Sequence, residues 1–91
     1  MRITTQMLEN KVNYLDDLTN NAREPYKFGK GSNIGTYYIS KANGGYQLEQ
    51  IVNSGGGARN ILNSGRTTKK DLYNNINSFL LGIELAKKVN Q

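Results

Sequence analysis

Two clusters, Ala42-Asn43-Gly44-Gly45 and Ser54-Gly55-Gly56-Gly57, cut the middle of the chain into three runs too short to be helices. Gly and Asn tolerate the positive φ that tight hairpins need, so each cluster reads as a chain reversal. The segment 35–63 is therefore expected to be an antiparallel β-meander. In its first run Tyr37 and Ile39 alternate with Thr36, Tyr38 and Ser40, which puts the two sets on opposite faces. The second run, Tyr46 to Asn53, places Tyr46, Leu48, Gln50 and Val52 on one face and Ile51 on the other. That imperfect alternation points to a bulge or to a partly covered second face. Ala58 to Asn63 makes a third, weaker strand.

The flanks have helical spacing. Met7, Leu8, Val12, Leu15 and Leu18 recur every three or four residues, which predicts a helix over 5–19 with Thr4 or Thr5 as its N-cap. Leu72, Ile76, Phe79, Leu80, Ile83 and Ala86 form a longer stripe, which predicts a helix over 68–88. Thr68 and Asp71 at its start resemble a capping box with Asp in place of Glu. Between the first helix and the meander, residues 22–34 hold the only proline and show neither period. They are expected to be a loop, with Tyr26 and Phe28 pinning it to the body. Ninety-one residues support one domain, so the expected fold is α+β, in the order α-β-β-β-α, with both helices on one face of a three-stranded sheet.

No cysteine and no histidine are present, which removes disulfides, thiolate metal sites, thiol nucleophiles and every imidazole mechanism. Asp16 and Asp17 are neighbours on a helix and point in different directions, a poor arrangement for paired carboxylates. The Gly-rich turns lack the Lys and hydroxyl of a P-loop and lead into strands, and Gly29-Lys30-Gly31 with Gly35 has the wrong spacing for a dinucleotide fingerprint. The expectation is a protein that is not an enzyme and needs no cofactor or metal. Nor does any run approach the roughly 20 apolar residues of a bilayer span, and a soluble, cytoplasmic protein is expected.

The net charge is +5, and its distribution is uneven. Residues 1–21 sum to −1, residues 22–70 to +6, and residues 71–91 to zero. The positive field favours an anionic partner. Candidate contact residues are Lys27 and Lys30 in the loop, Tyr38 beside Lys41 and Arg59 on one sheet face, and Arg66, Lys69 and Lys70 at the start of the last helix. Aromatic rings interleaved with bases can stack nucleobases and track phosphates, and a helix N-terminus adds unpaired amides.

Asn43-Gly44-Gly45-Tyr46-Gln47-Leu48, then Asn53 before Gly56-Gly57, then Thr68-Lys69-Lys70-Asp71-Leu72-Tyr73, resemble a recurring pattern of small phage and prophage proteins. In that pattern a GGY-L strand and a Gly-Gly turn precede a K-[KR]-[DE]-L-Y helix ending in a Phe and small-residue stretch, here Phe79 to Gly82. The resemblance covers roughly the last fifty residues. It implies a mobile-element origin and a role as a regulator or an inhibitor of host defence, such as an anti-CRISPR that binds a host protein or sequesters a nucleotide signal. The order of elements, with Lys69 and Lys70 opening the last helix, is also similar to double-stranded-RNA-binding domains. Leu72-Tyr73-Asn74-Asn75 replaces the Ala-rich core of that family, so the similarity implies topology alone. The favoured expectation is a non-catalytic accessory protein whose basic surface docks on nucleic acid or on a host nucleic-acid-binding protein. Self-association through an open sheet edge is a further alternative.

Overall fold

The first helix begins where Thr4 can cap it. In the computed structural model, which describes residues 2–27, 31–42, 44–62 and 65–89, α1 spans Thr5–Leu18, and the Thr4 hydroxyl accepts from the Met7 N–H at 3.1 Å. The helix stops one residue earlier than expected. Asn20 takes φ 61°, a left-handed conformation that Asn tolerates at a helix end.

Residues 22–34, expected to be a loop, contain a two-stranded antiparallel ladder, β1 (Tyr26–Lys27) against β2 (Gly31–Ser32). Asn33 closes it: its N–H donates to the Pro25 carbonyl at 2.8 Å and its side-chain amide to the Glu24 carbonyl at 2.7 Å. Two residues per strand are too few for alternation to show in a sequence. Phe28 and the Tyr26 side chain, the expected anchors, lie outside what is described.

The meander follows as β3 (Tyr37–Ala42), β4 (Gly45–Ile51) and β5 (Ala58–Asn60), antiparallel in the order β3-β4-β5. Tyr37 opposes Gln50, Ile39 opposes Leu48 and Lys41 opposes Tyr46, which puts all six on the face toward the helices. α2 spans Lys69–Val89 and packs on α1 and β4. The core joins Leu8, Val12 and Leu15 of α1 and Leu72, Ile76 and Leu80 of α2 to Tyr37 and Leu48, with Ile3 folded in from the N-terminal side. Each such Leu, fully buried, contributes about 1.5–3 kcal/mol. The α2 stripe ends sooner than its spacing suggests. Ala86 is exposed, and Leu81, Leu85 and Val89 face solvent at 57%, 54% and 81%.

Ile51 lies on the face opposite Leu48, as its parity predicts, but burial at the end of β4 does not follow the inward set. Ile51, not Val52, is the last buried apolar residue, at 1% exposure, while Val52 is 44% exposed. Ile51 N–H donates to the Thr36 carbonyl at 3.0 Å, and its carbonyl accepts from Gly35 N–H at 2.8 Å. Strand pairing therefore carries through Ile51 on the face away from the helices, where Thr36 is also fully buried. The second face is partly covered, which is what the uneven alternation signalled.

One polar residue is sunk in the core region. Asp16 has no exposed surface, and its Oδ1 accepts the Tyr37 N–H at 2.8 Å. Its Oδ2 is buried with no hydrogen-bond partner among the described residues. Burial pushes the Asp16 carboxyl up from 3.8 to about 6, with the negative Asp17 beside it; the Tyr37 N–H and the Arg23 charge oppose the rise. A pKa raised in the fold means that the protonated acid is the better-tolerated form. The stability it confers is full below the ordinary carboxylate range and is lost as pH rises through about 6. Denaturant titrations of the wild type from pH 4.5 to 7.5 are expected to lose about 1–3 kcal/mol, and Asp16→Asn to remove that slope. Parallel curves for the two proteins would show that Asp16 does not titrate in this window. Asp16→Ala, which leaves the Tyr37 N–H without its acceptor, is expected to destabilise by about 1–3 kcal/mol at either end.

Candidate anion-binding ridge

A short pairing outside the main sheet positions the basic residues. Tyr46 N–H donates to the Thr67 carbonyl and Thr67 N–H to the Tyr46 carbonyl, each at 2.8 Å, so the segment before α2 lies along the start of β4. Gly45 makes the approach possible. It holds φ 120°, and a Cβ there would collide with the Thr67 carbonyl. Arg66 braces the same corner: its guanidinium donates to the Ser40 carbonyl and Ser40 Oγ, both at 3.0 Å, with the Gly45 carbonyl at 3.5 Å. The helix can then start, with Thr68 Oγ1 accepting from Asp71 N–H at 3.1 Å.

This docking sets lysines against tyrosine rings. Lys41, across the strand from Tyr46, places Nζ 5.9 Å from the Tyr46 ring centroid, and Lys69 reaches the same ring at 5.9 Å. Tyr73 lies one turn after Lys69 on the same side of α2, and Lys11 of α1 sits over it at 5.5 Å. Such contacts are worth about 0.5–1 kcal/mol each where exposed. Lys11, Tyr73, Lys69, Tyr46 and Lys41 therefore form one alternating ridge across α1, α2, β4 and β3, with exposed Lys70 at its flank. Among the described residues the ion pairs are Arg23–Asp17 and Arg66–Glu49, and none of the four lysines has a carboxylate partner. An open groove of about 600 Å³ runs beside the ridge, lined by Gly45, Tyr46, Arg66, Lys69 and Asp71 among others.

The expected set of contact residues is divided by this geometry. Lys41, Lys69 and Lys70 come together. Tyr38 does not join them, because it opposes Glu49 and so lies on the face away from the helices, while Lys41 and Arg59 lie on the helix side. Its hydroxyl donates to Glu49 Oε1 at 2.8 Å. Arg59 opposes Gln50, four residues or about 13 Å along β4 from Tyr46, in a separate groove with Tyr37, Ile61 and Phe79. Arg66 is a brace, with its charge 4.0 Å from Glu49 Oε2. Lys27 falls in β1 with its side chain outside the described atoms, and Lys30 lies outside the described residues altogether.

Glu49, which reads in the sequence as a carboxylate among neutral residues, is the hub of that outer face. Burial pushes its carboxyl up, but hydrogen bonds from Gln47, Tyr38 and Ser40 and the Arg66 charge outweigh burial and hold it below its ordinary value. Lys11, Tyr46 and Tyr73 were not singled out by the sequence. Two of the three had signals: Tyr46 follows Lys41 across a tight turn with matching parity, and Tyr73 is four residues after Lys69. Lys11 had none, since only the packing of α1 on α2 brings it to Tyr73.

No group of three or more Asp or Glu side chains that could hold a metal occurs among the described residues, and no described helix is long and apolar enough to cross a membrane. A groove of about 340 Å³ at the β3 edge brings together Glu9 and Arg23, but the Arg23 guanidinium is already held by Asp17. The chain matches no protein-family model, no curated protein and no solved structure.

The division between brace and ridge is testable by stability. Arg66→Met is expected to destabilise by about 1–3 kcal/mol, since it leaves the half-buried Ser40 acceptors without their donor and Glu49 without its neighbouring cation. Lys41→Gln and Lys69→Gln are expected to cost less, at most about 0.5–1 kcal/mol each, the worth of the ring contact they lose. Urea midpoints for the three variants check this, and equal losses in all three would merge the two roles.

Proposed function

We propose that the chain is a non-catalytic accessory binding protein, of phage or prophage origin, that docks the Lys–Tyr ridge on nucleic acid. The observation that carries this reading is the ridge itself: Lys11, Lys41 and Lys69, from three packed elements, gather on two tyrosine rings, and none of them forms an ion pair with a described residue. Lysines without partners on rigid elements raise the local potential and release counterions from a polyanion when it binds. The absence of Cys and His in the sequence, and the commitment of Arg66 and Glu49 to each other, fit a role in binding better than one in chemistry.

Fluorescence anisotropy with a labelled duplex tests it. Affinity is expected to fall roughly 40-fold or more between about 50 and 200 mM salt if three or four phosphates are engaged. Lys41→Gln with Lys69→Gln is expected to make the logarithmic salt slope shallower by about two. A slope that the double variant leaves unchanged would move the contact elsewhere on the protein.

A second reading, self-association, is favoured by one feature. Leu81, Leu85 and Val89 are spaced by four on α2 and point away from the core side marked by Leu72, Ile76 and Leu80. An apolar stripe on both sides of a helix end is covered in many assemblies by a second copy. Sedimentation equilibrium then shows a mass that rises with concentration in the wild type and stays monomeric in Leu85→Glu. A wild-type mass that does not change with concentration removes this reading.

A further inference from the structure

Among the described residues, the two rings of the ridge have their faces engaged. The exposed Tyr14 beside Lys11 gives its hydroxyl to the Glu84 carboxylate at 3.0 Å, a charge that disfavours a polyanion at that ring. Tyr46 is shared by the Lys41 and Lys69 ammonium groups, each 5.9 Å from its centroid, and is also packed against the core. Tyr73 lies under Lys11 at 5.5 Å and is likewise half-buried against the core. Tyr37 is buried with its ring edge-on to Phe79, at a centroid distance of 5.9 Å. Tyr38, on the far face, gives its hydroxyl to Glu49. Stacking a nucleobase needs an open ring face, and single-strand binders supply a row of them. The ridge offers ammonium groups in that place.

We infer that the ridge grips the phosphate backbone and does not read or stack bases, so that its binding is indifferent to sequence. This rests on the proposed function and narrows it to one kind of contact. Lysine suits the task. Its ammonium is a compact point charge that satisfies a phosphate oxygen without fixed fork geometry, whereas the planar fork of Arg and the amides of Asn and Gln match two atoms of a base edge at once. The one arginine that borders the groove, Arg66, has its guanidinium directed at Ser40 and Gly45. The rings act on the lysines. Holding three long side chains against Tyr46 and Tyr73 limits the rotamer freedom they lose when a phosphate arrives. Because Lys11, Lys41 and Lys69 stand on α1, β3 and α2, their spacing is set by the packed core and does not adapt to a base sequence.

The test uses competition against one labelled strand with four unlabelled competitors of equal phosphate count: oligo(dT), a mixed-sequence single strand, a fully abasic strand and a mixed-sequence duplex. The three single strands are expected to compete within about threefold of one another, and exchanging the duplex sequence to change nothing. Lys11→Gln, Lys41→Gln and Lys69→Gln, each shown to be folded by its urea midpoint, are expected to weaken all competitors by the same factor. Each should also make the salt slope shallower by about 0.7 for single strands and 0.9 for duplex. Tyr46→Leu is expected to weaken abasic and base-bearing strands equally, by a few-fold. Base-bearing strands that compete more than tenfold better than the abasic strand, or a Tyr46→Leu defect confined to them, overturn the inference and leave nucleic-acid binding standing. Absence of binding to every strand at low salt overturns both, and an acidic protein surface then becomes the partner to seek.

Discussion

The contact between Asp16 and the Tyr37 N–H is the constraint that the rest of the arrangement depends on. β3 is an edge strand, and an edge presents amides that must find an acceptor or water. Here the acceptor comes from the last turn of α1, through a carboxylate that has no exposed surface. The chain between them is tied at two more points. Asn21 N–H donates to the Asp16 carbonyl at 2.8 Å, and the Thr36 hydroxyl to the Ala22 carbonyl at 2.7 Å. Together these bonds fix where the end of α1 sits on the sheet. That position lets Leu8, Val12 and Leu15 cover Tyr37 and Leu48, and it places Lys11 over Tyr73. A buried acid at the foot of a helix thus determines part of a basic surface at some distance from it.

Two carboxylates respond to acid in opposite senses. Asp16 is tolerated best when protonated, whereas Glu49 is stabilised as the anion by Gln47, Tyr38, Ser40 and Arg66. For Glu49 the depressed pKa means that its contribution is present above the ordinary carboxylate range and is lost on acidification. The difference follows from donors. Asp16 has one N–H for two buried oxygens, while Glu49 has several donors and a nearby guanidinium. The Glu49 network matters beyond its own face because it orients Arg66, and Arg66 together with the Thr67 bridge determines where α2 begins.

Much of the architecture was legible because each main element has a strong period or a strong break. The helices announced themselves through Leu8, Val12 and Leu15 and through Leu72, Ile76 and Leu80, and the meander through its glycine turns. What failed did so for identifiable reasons. Placing Tyr38 with Lys41 overlooked parity: Lys41 is two residues from Ile39 and shares its face, and Tyr38 cannot. Val52 looked like the continuation of the inward set, but the strand ends at Ile51, and pairing with Thr36 decides which residue is covered. Arg66 read as a free base at a helix start because nothing in a loop sequence says how far a guanidinium will reach back to Ser40. Lys11 belonged to a segment with net negative charge, and only the contact between two helices remote in sequence brings it to the ridge.

The ridge also bears on stability. Lys41 and Lys69 share one ring and form no ion pair with a described residue, so the fold holds two like charges close together. The repulsion is small in water, since unit charges about 10 Å apart interact by about 0.4 kcal/mol, and salt reduces it further. The two ammonium contacts with the Tyr46 ring, at about 0.5–1 kcal/mol each, more than offset it. On the proposed function, a bound phosphate would reverse the sign of the local term for both lysines at once, and any ligand that binds the folded state alone stabilises it by mass action. The Tyr46 ring thus accounts for two lysines without an ion pair at the corner where β4, the Thr67 bridge and the start of α2 meet.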